Sequence, residues 1–184
     1  MYCKKLSVFI VFLWFIVSCT SNIDEQVTLL KQTSINLPLD KMELVVSPVK
    51  QDSIDHNADL YFIVWENASS CNTCAINHIG IWYTIIKKVN EKANVGFRFI
   101  FSPNEKKIET IKHLYYKQHF PNNIFIDKSK EFEKANPIFE KVNSHYLLID
   151  KAGKVLYVGN PTKNENASEM LIKTIDYWVE HHQK

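Results

Sequence analysis

The sequence predicts an α/β domain: a central mixed sheet with helices on both faces. Three observations carry this. Short apolar runs rich in β-branched and aromatic residues alternate with stretches whose apolar residues recur at helical spacing. The order reads strand, helix, strand, helix, short strand, hairpin, helix, and alternating βαβ units place helices over both faces of a sheet. About 165 residues after Cys19 suit one domain with its own core.

Residues 1–18 read as a secretory signal. Lys4 and Lys5 give it a positive start. Leu6 to Ser18 is an almost unbroken apolar run, too short to span a bilayer comfortably, and it ends at small residues. Ile16-Val17-Ser18-Cys19 resembles a bacterial lipobox, which implies cleavage before Cys19 and a lipid on that cysteine. Residue 20 is Thr, where the inner-membrane retention signal has Asp. The expected location is therefore the cell envelope, on the periplasmic side of the outer membrane or at the cell surface. Residues 19–40 are polar and mixed and read as the lipidated N-terminus and a tether, within which "IDEQVTLLKQ" can form a short helix. The domain is expected over 41–184.

Removal of Lys4 and Lys5 takes the formal charge of +2 to near neutral. Such a chain has no general electrostatic case for nucleic acid.

"MELVVSP", Met42 to Pro48, reads as a peripheral strand. "LYFIVWE", Leu60 to Glu66, reads as a buried one. Ser69-Ser70 then offers an N-cap, and a long helix is expected from Cys71, with apolar residues at 75, 76, 79, 82, 83, 86 and 89. Val95 to Phe101 is the next strand. Ser102 as cap and Pro103 at the first helical position open a helix carrying Ile108, Ile111, Leu114 and Tyr115 on one face. Asn123 to Asp127 is a short strand, and residues 129–140 a short helix interrupted before Pro137. "HYLLIDKAGKVLYVGNP" is a hairpin turning at Asp150-Lys151-Ala152-Gly153, with Gly153 at a positive φ. Leu171, Ile175 and Trp178 mark a closing helix, roughly 167–182.

Of four cysteines, Cys3 is expected to leave with the signal, and the lipobox resemblance implies that Cys19 is acylated. Cys71 and Cys74 remain, and an oxidising envelope lets them form a disulfide. No glycine loop suited to phosphate is present, since the four glycines are scattered. Trp65 and Trp82 read as core, His56, His113 and His119 as surface or partly buried residues, and Glu66 as solvated.

The order of elements, with Cys71-Asn72-Thr73-Cys74 opening the helix after a buried strand, resembles the thioredoxin fold. With the lipid anchor and "LLIDKAGKVLYVG" in the late hairpin, the chain looks like the membrane-tethered TlpA- or ResA-like thiol:disulfide oxidoreductases. The resemblance spans roughly 60–182. It implies thiol:disulfide exchange on protein substrates, with an envelope redox partner and no organic cofactor. Cys71 is the expected nucleophile, exposed and favoured as thiolate at a helix start, and Cys74 the more buried resolving thiol. The family places a cis-proline just before the hairpin. Matching "LLID" puts Ser144 there with His145 next, so these two form the expected substrate loop.

Two alternatives remain open. Cys71, Cys74 and His78, closed by His145, have the residue types of a tetrahedral metal site. A Sco-like copper chaperone is a special case, though its cysteines are spaced CxxxC and Val142 here falls near its histidine. The other alternative is a lipid-anchored binding protein with a structural disulfide.

Overall fold

The computed structural model describes residues 21–49 and 57–182; the signal sequence and Cys19 lie outside them. In chain order the elements are α1 (Ser21–Lys31), β1 (Glu43–Val45), β2 (Leu60–Glu66), α2 (Asn72–Asn77), α3 (Trp82–Asn90), β3 (Val95–Phe101), α4 (Ile108–Gln118), β4 (Ile124–Ile126), α5 (Glu131–Ala135), β5 (Tyr146–Asp150), β6 (Val155–Val158) and α6 (Glu165–His182). The six strands form one sheet in the order β1-β4-β3-β2-β5-β6. β2, β3 and β4 run parallel, while β1, β5 and β6 pair antiparallel with their neighbours. This is the mixed sheet the sequence predicts, with β1 on the edge.

Strand alternation divides the core in two. Leu60, Phe62 and Val64 of β2 join Phe97, Phe99 and Phe101 of β3 under α3, α4 and α6. Ile63 and Trp65 face the other way, into a second cluster with Leu30, Ile35, Phe132 and Val142. That second layer corrects the expected boundary at residue 41. Leu30 is fully buried and Ile35 nearly so, so the folded unit includes much of the segment read as tether. The segment is also hydrogen-bonded in place. Ile35 N–H donates to Gly153 O at 2.8 Å. Asn36 N–H donates to Asn136 Oδ1 at 2.7 Å, and Asn136 Nδ2 returns a bond to Asn36 O at 2.9 Å. Gly153 has φ +82° as expected, and its missing side chain makes room for the Ile35 backbone.

The long helix expected from Cys71 is two helices joined by a 3₁₀ turn, Ile79–Ile81. The buried side chains explain the break. Ile76, Ile79, Trp82 and Ile85 recur every third residue, the 3₁₀ repeat, before Trp82, Ile85, Ile86 and Val89 settle to helical spacing.

Ser102 is not the cap of α4, which follows a 3₁₀ turn at Glu105–Lys107. Ser102 lies buried, where it accepts from Trp65 Nε1 at 3.3 Å while its own N–H donates to Glu66 O at 2.8 Å.

Candidate active site

β2 ends at Glu66, and the turn that follows carries the cysteines. Asn67 organises it. Its Oδ1 accepts from the N–H and hydroxyl groups of both Ser69 and Ser70, at 2.7 to 3.0 Å. The serines are therefore donors to an Asx-type turn rather than caps of the helix. Cys71 is the residue that flanks α2, with φ −77° and ψ 77° and no side-chain cap bond. Asn72 folds back beneath the turn, where its Nδ2 donates to Asn67 O at 2.9 Å and Ser70 O at 3.1 Å. Asn72 is buried, and its Oδ1 has no hydrogen-bond partner among the described residues.

Cys71 and Cys74 form a disulfide with their Cα atoms 5.2 Å apart, within the usual range for the bond. The Thr73 hydroxyl stands 3.7 Å from Cys71 Sγ. Both cysteines are exposed, which corrects the expectation that Cys74 is the more buried. The helix period supplies the reason. Asn72 and Ile76 face the core, and Cys74 lies about 200° around the helix from Asn72.

Glu66 is also placed differently from the expectation. It is buried, at 9% exposure, and accepts from Tyr146 Oη at 3.2 Å across the sheet. Burial, with the Glu66 carboxylate next, pushes the Tyr146 phenol up to about 12. Burial does the same to Tyr115, whose hydroxyl donates to Asn122 O at 2.7 Å.

Because β5 runs antiparallel to β2, the loop leading into β5 reaches the sheet edge from which the cysteine turn departs. His145 ties the two together. Trp65 N–H donates to His145 O at 2.9 Å, and His145 Nδ1 lies 2.8 Å from Trp65 O. The imidazole stacks on the Trp65 indole with centroids 5.4 Å apart. Ser144 is half-buried in the same loop, and the described residues contain no cis peptide bond.

The donors of the metal alternative are not brought together. His78 is exposed, and among the described residues no group of three His, Cys, Asp or Glu side chains could hold an ion.

Asn67, Asn72 and Tyr146 were missed from the sequence. Asn two residues before a Ser-Ser pair is a readable turn signal. The Tyr146–Glu66 contact joins residues on paired strands, and no local pattern announces it.

A parallel β2–β3 pair, a Cys-x-x-Cys turn at the start of the helix leaving β2, and an antiparallel hairpin beyond it define a thioredoxin-like domain. No family model matches the chain, and no curated protein matches it. Among solved structures, the chain is similar to an uncharacterized thioredoxin-like protein from Porphyromonas gingivalis, with 13% identity, TM-score 0.49, and coverage of 73% of this chain and 84% of that one. It is also similar to the thioredoxin domain of a thiol-disulfide oxidoreductase from Bacteroides vulgatus, with 12% identity, TM-score 0.48, and coverage of 72% and 94%. The copper-bound ScoI of Arabidopsis thaliana aligns with 15% identity, TM-score 0.47, and coverage of 65% and 85%. The fold assignment rests on the strand order and the placement of the cysteines themselves.

Proposed function

We propose that this protein is a lipid-anchored envelope thiol:disulfide oxidoreductase acting on protein substrates through Cys71 and Cys74. The observation that carries the reading is an exposed disulfide at a strand–turn–helix junction, held by a turn whose bonds run through the Asn67 and Asn72 side chains. A substrate thiolate attacks Cys71 Sγ, the Cys71–Cys74 bond breaks, and Cys74 leaves as a thiolate. A second substrate thiolate then attacks the mixed disulfide and releases Cys71. The substrate ends as a disulfide, and two electrons rest on the cysteine pair. The same steps run backwards when the reduced pair meets a substrate disulfide. An envelope redox partner resets the pair in either direction.

Exposure does not separate the two sulfurs, so position does. The N–H groups of the first helical turn favour a thiolate at Cys71 over one at Cys74. In the reduced protein Cys71 is expected to alkylate faster than Cys74 near neutral pH, as read by mass mapping of a limited iodoacetamide reaction. Equal rates would remove the assignment of the nucleophile.

The reduction potential tests the whole reading. A reversible two-electron couple between roughly −120 and −270 mV fits an exchange enzyme. A value well below about −300 mV fits a structural bridge in a binding protein.

The lipid at Cys19 is part of the same proposal. Since α1 begins at Ser21, the acylated residue would stand two positions from the folded unit and hold the domain close to the membrane. Cys19→Ser is expected to leave the protein unlipidated and released from the membrane fraction.

A further inference from the structure

We infer that His145 is a positioning residue for the exchange reaction, its side chain holding residues 143–145 against the strand end that leads into the cysteine turn. The inference rests on the oxidoreductase reading above. It starts from the open end of the β2–β5 ladder. The regular pairing stops at Val64 and Tyr146, and the next pair outward is Trp65 with His145. Trp65 N–H makes the bond expected of that position, to His145 O at 2.9 Å. The reciprocal bond is made by the imidazole: Nδ1 sits 2.8 Å from Trp65 O. A carbonyl oxygen only accepts, so Nδ1 carries the hydrogen.

The second ring nitrogen is also used. Nε2 stands 3.0 Å from the Asn143 side-chain amide. That amide accepts from an imidazolium through its oxygen or, turned over, donates to the neutral ring through its nitrogen. The ring thus clamps residues 143–145 to the end of β2. The stack on Trp65 completes the clamp, and Trp65 is itself packed against Phe132 and Phe139 at 5.2 and 4.9 Å.

The consequence for the reaction follows from where Trp65 lies. One residue on is Glu66, and then Asn67, whose side chain organises the cysteine turn. Residues 143–145 are thus fastened to the strand end that presents the disulfide. In this proposal a substrate chain that engages the sulfurs also runs along residues 143–145, with Ser144 in their middle. Fixing that loop aligns an extended substrate with the disulfide, whereas a small disulfide needs no such alignment.

The test compares two substrates on the full-length, reduced protein. One is a small aromatic disulfide reagent, and the other is a peptide carrying a single disulfide. His145→Ala is expected to lose about tenfold in the second-order rate constant for the peptide and no more than about twofold for the small reagent. Asn places a side-chain N–H near the position of Nδ1, so His145→Asn is expected to recover the peptide reaction to within about threefold. A third measurement does not depend on any variant folding. The ¹⁵N shifts of the His145 ring in the native protein should show a protonated Nδ1. An Nε2-only tautomer, equal peptide rates for wild type and His145→Ala, or a parallel loss on both substrates overturns the role given to His145. A wild type inert toward both disulfides overturns the oxidoreductase reading, and this role with it.

Discussion

The two faces of the sheet are built in different ways. The first is covered by α3, α4 and α6, and its core is a run of large side chains: Phe62, Phe97, Phe99, Trp82 and Tyr157. The second is covered by the end of α1 and the chain that follows it, the short α5, and the turn after it. Its centre is the Trp65–Phe132–Phe139 cluster, on which His145 rests. The first face supplies bulk hydrophobic stability through regular amphipathic helices. The second is assembled from distant segments, and it reaches the cysteine turn through Trp65. Both layers therefore reach the candidate site: the first through Ile76 of α2, the helix that carries Cys74, and the second, with least regular secondary structure, through Trp65 and the strand end that leads into the turn.

Removing residues 21–40 attacks the second face most directly. Fully burying a Leu or Ile is worth roughly 1.5–3 kcal/mol, and both Leu30 and Ile35 would be lost with their partly buried neighbours. The expected cost exceeds about 5 kcal/mol in urea unfolding, or cooperative unfolding is lost altogether. An unchanged midpoint would return this segment to the status of a tether.

Phe62→Ala strikes the centre of the first face. A loss of roughly 3–5 kcal/mol is expected from the cavity it leaves. Below its unfolding temperature, the variant should keep the wild-type reduction potential, because the Phe62 ring meets Trp82, Phe97 and Tyr157 while Cys71 and Cys74 are exposed at the turn. A shifted potential would mean that the packing Phe62 shares with Ile76 of α2 sets the redox centre.

A smaller loss separates the second face from its short helix. Asp127 is buried, and its two oxygens accept from Glu131 N–H at 2.8 Å and Phe132 N–H at 2.9 Å, fastening the start of α5. Asp127→Ala is expected to cost about 2 kcal/mol and to loosen Phe132 against Trp65. Trp fluorescence during urea unfolding would show both. A stability change without any change in the native emission would mean that α5 is held by other contacts.

The mildest perturbation is alkaline pH. Tyr115 and Tyr146 are pushed up to about 12, chiefly by burial, whereas an unfolded tyrosine ionises near about 10. The folded protein thus binds more protons than the unfolded chain in this window. The stability from these residues is complete below about pH 10 and is lost as pH rises through about 12. The urea midpoint should fall over that interval, and an ultraviolet titration should show phenols ionising late. Tyr146→Phe should remove part of the late ionisation. If it does not, the Glu66–Tyr146 contact is not maintained in solution.

The order of strands and helices was legible in the chain because its signals are local. Leu60–Glu66 and Val95–Phe101 announce buried strands by composition, and Gly153 marks a turn by its conformational freedom. Cys71 and Cys74 were placed at a helix start after β2 by the same short-range reasoning, and the structure puts them there. What only the tertiary structure decided involves partners far apart in sequence. Ile35 and Asn36 are ordered by Gly153 and Asn136, so a segment polar enough to read as a tether becomes part of the core. Glu66 is buried because Tyr146 meets it across the sheet. Cys74 faces outward because Asn72 and Ile76 turn inward to fill the space beneath the turn. His145 gains its two ring contacts only when β5 lies against β2. Periodicity specifies which face of an element is apolar, but a polar side chain's partner is chosen by the strand register and layer packing that bring the two together.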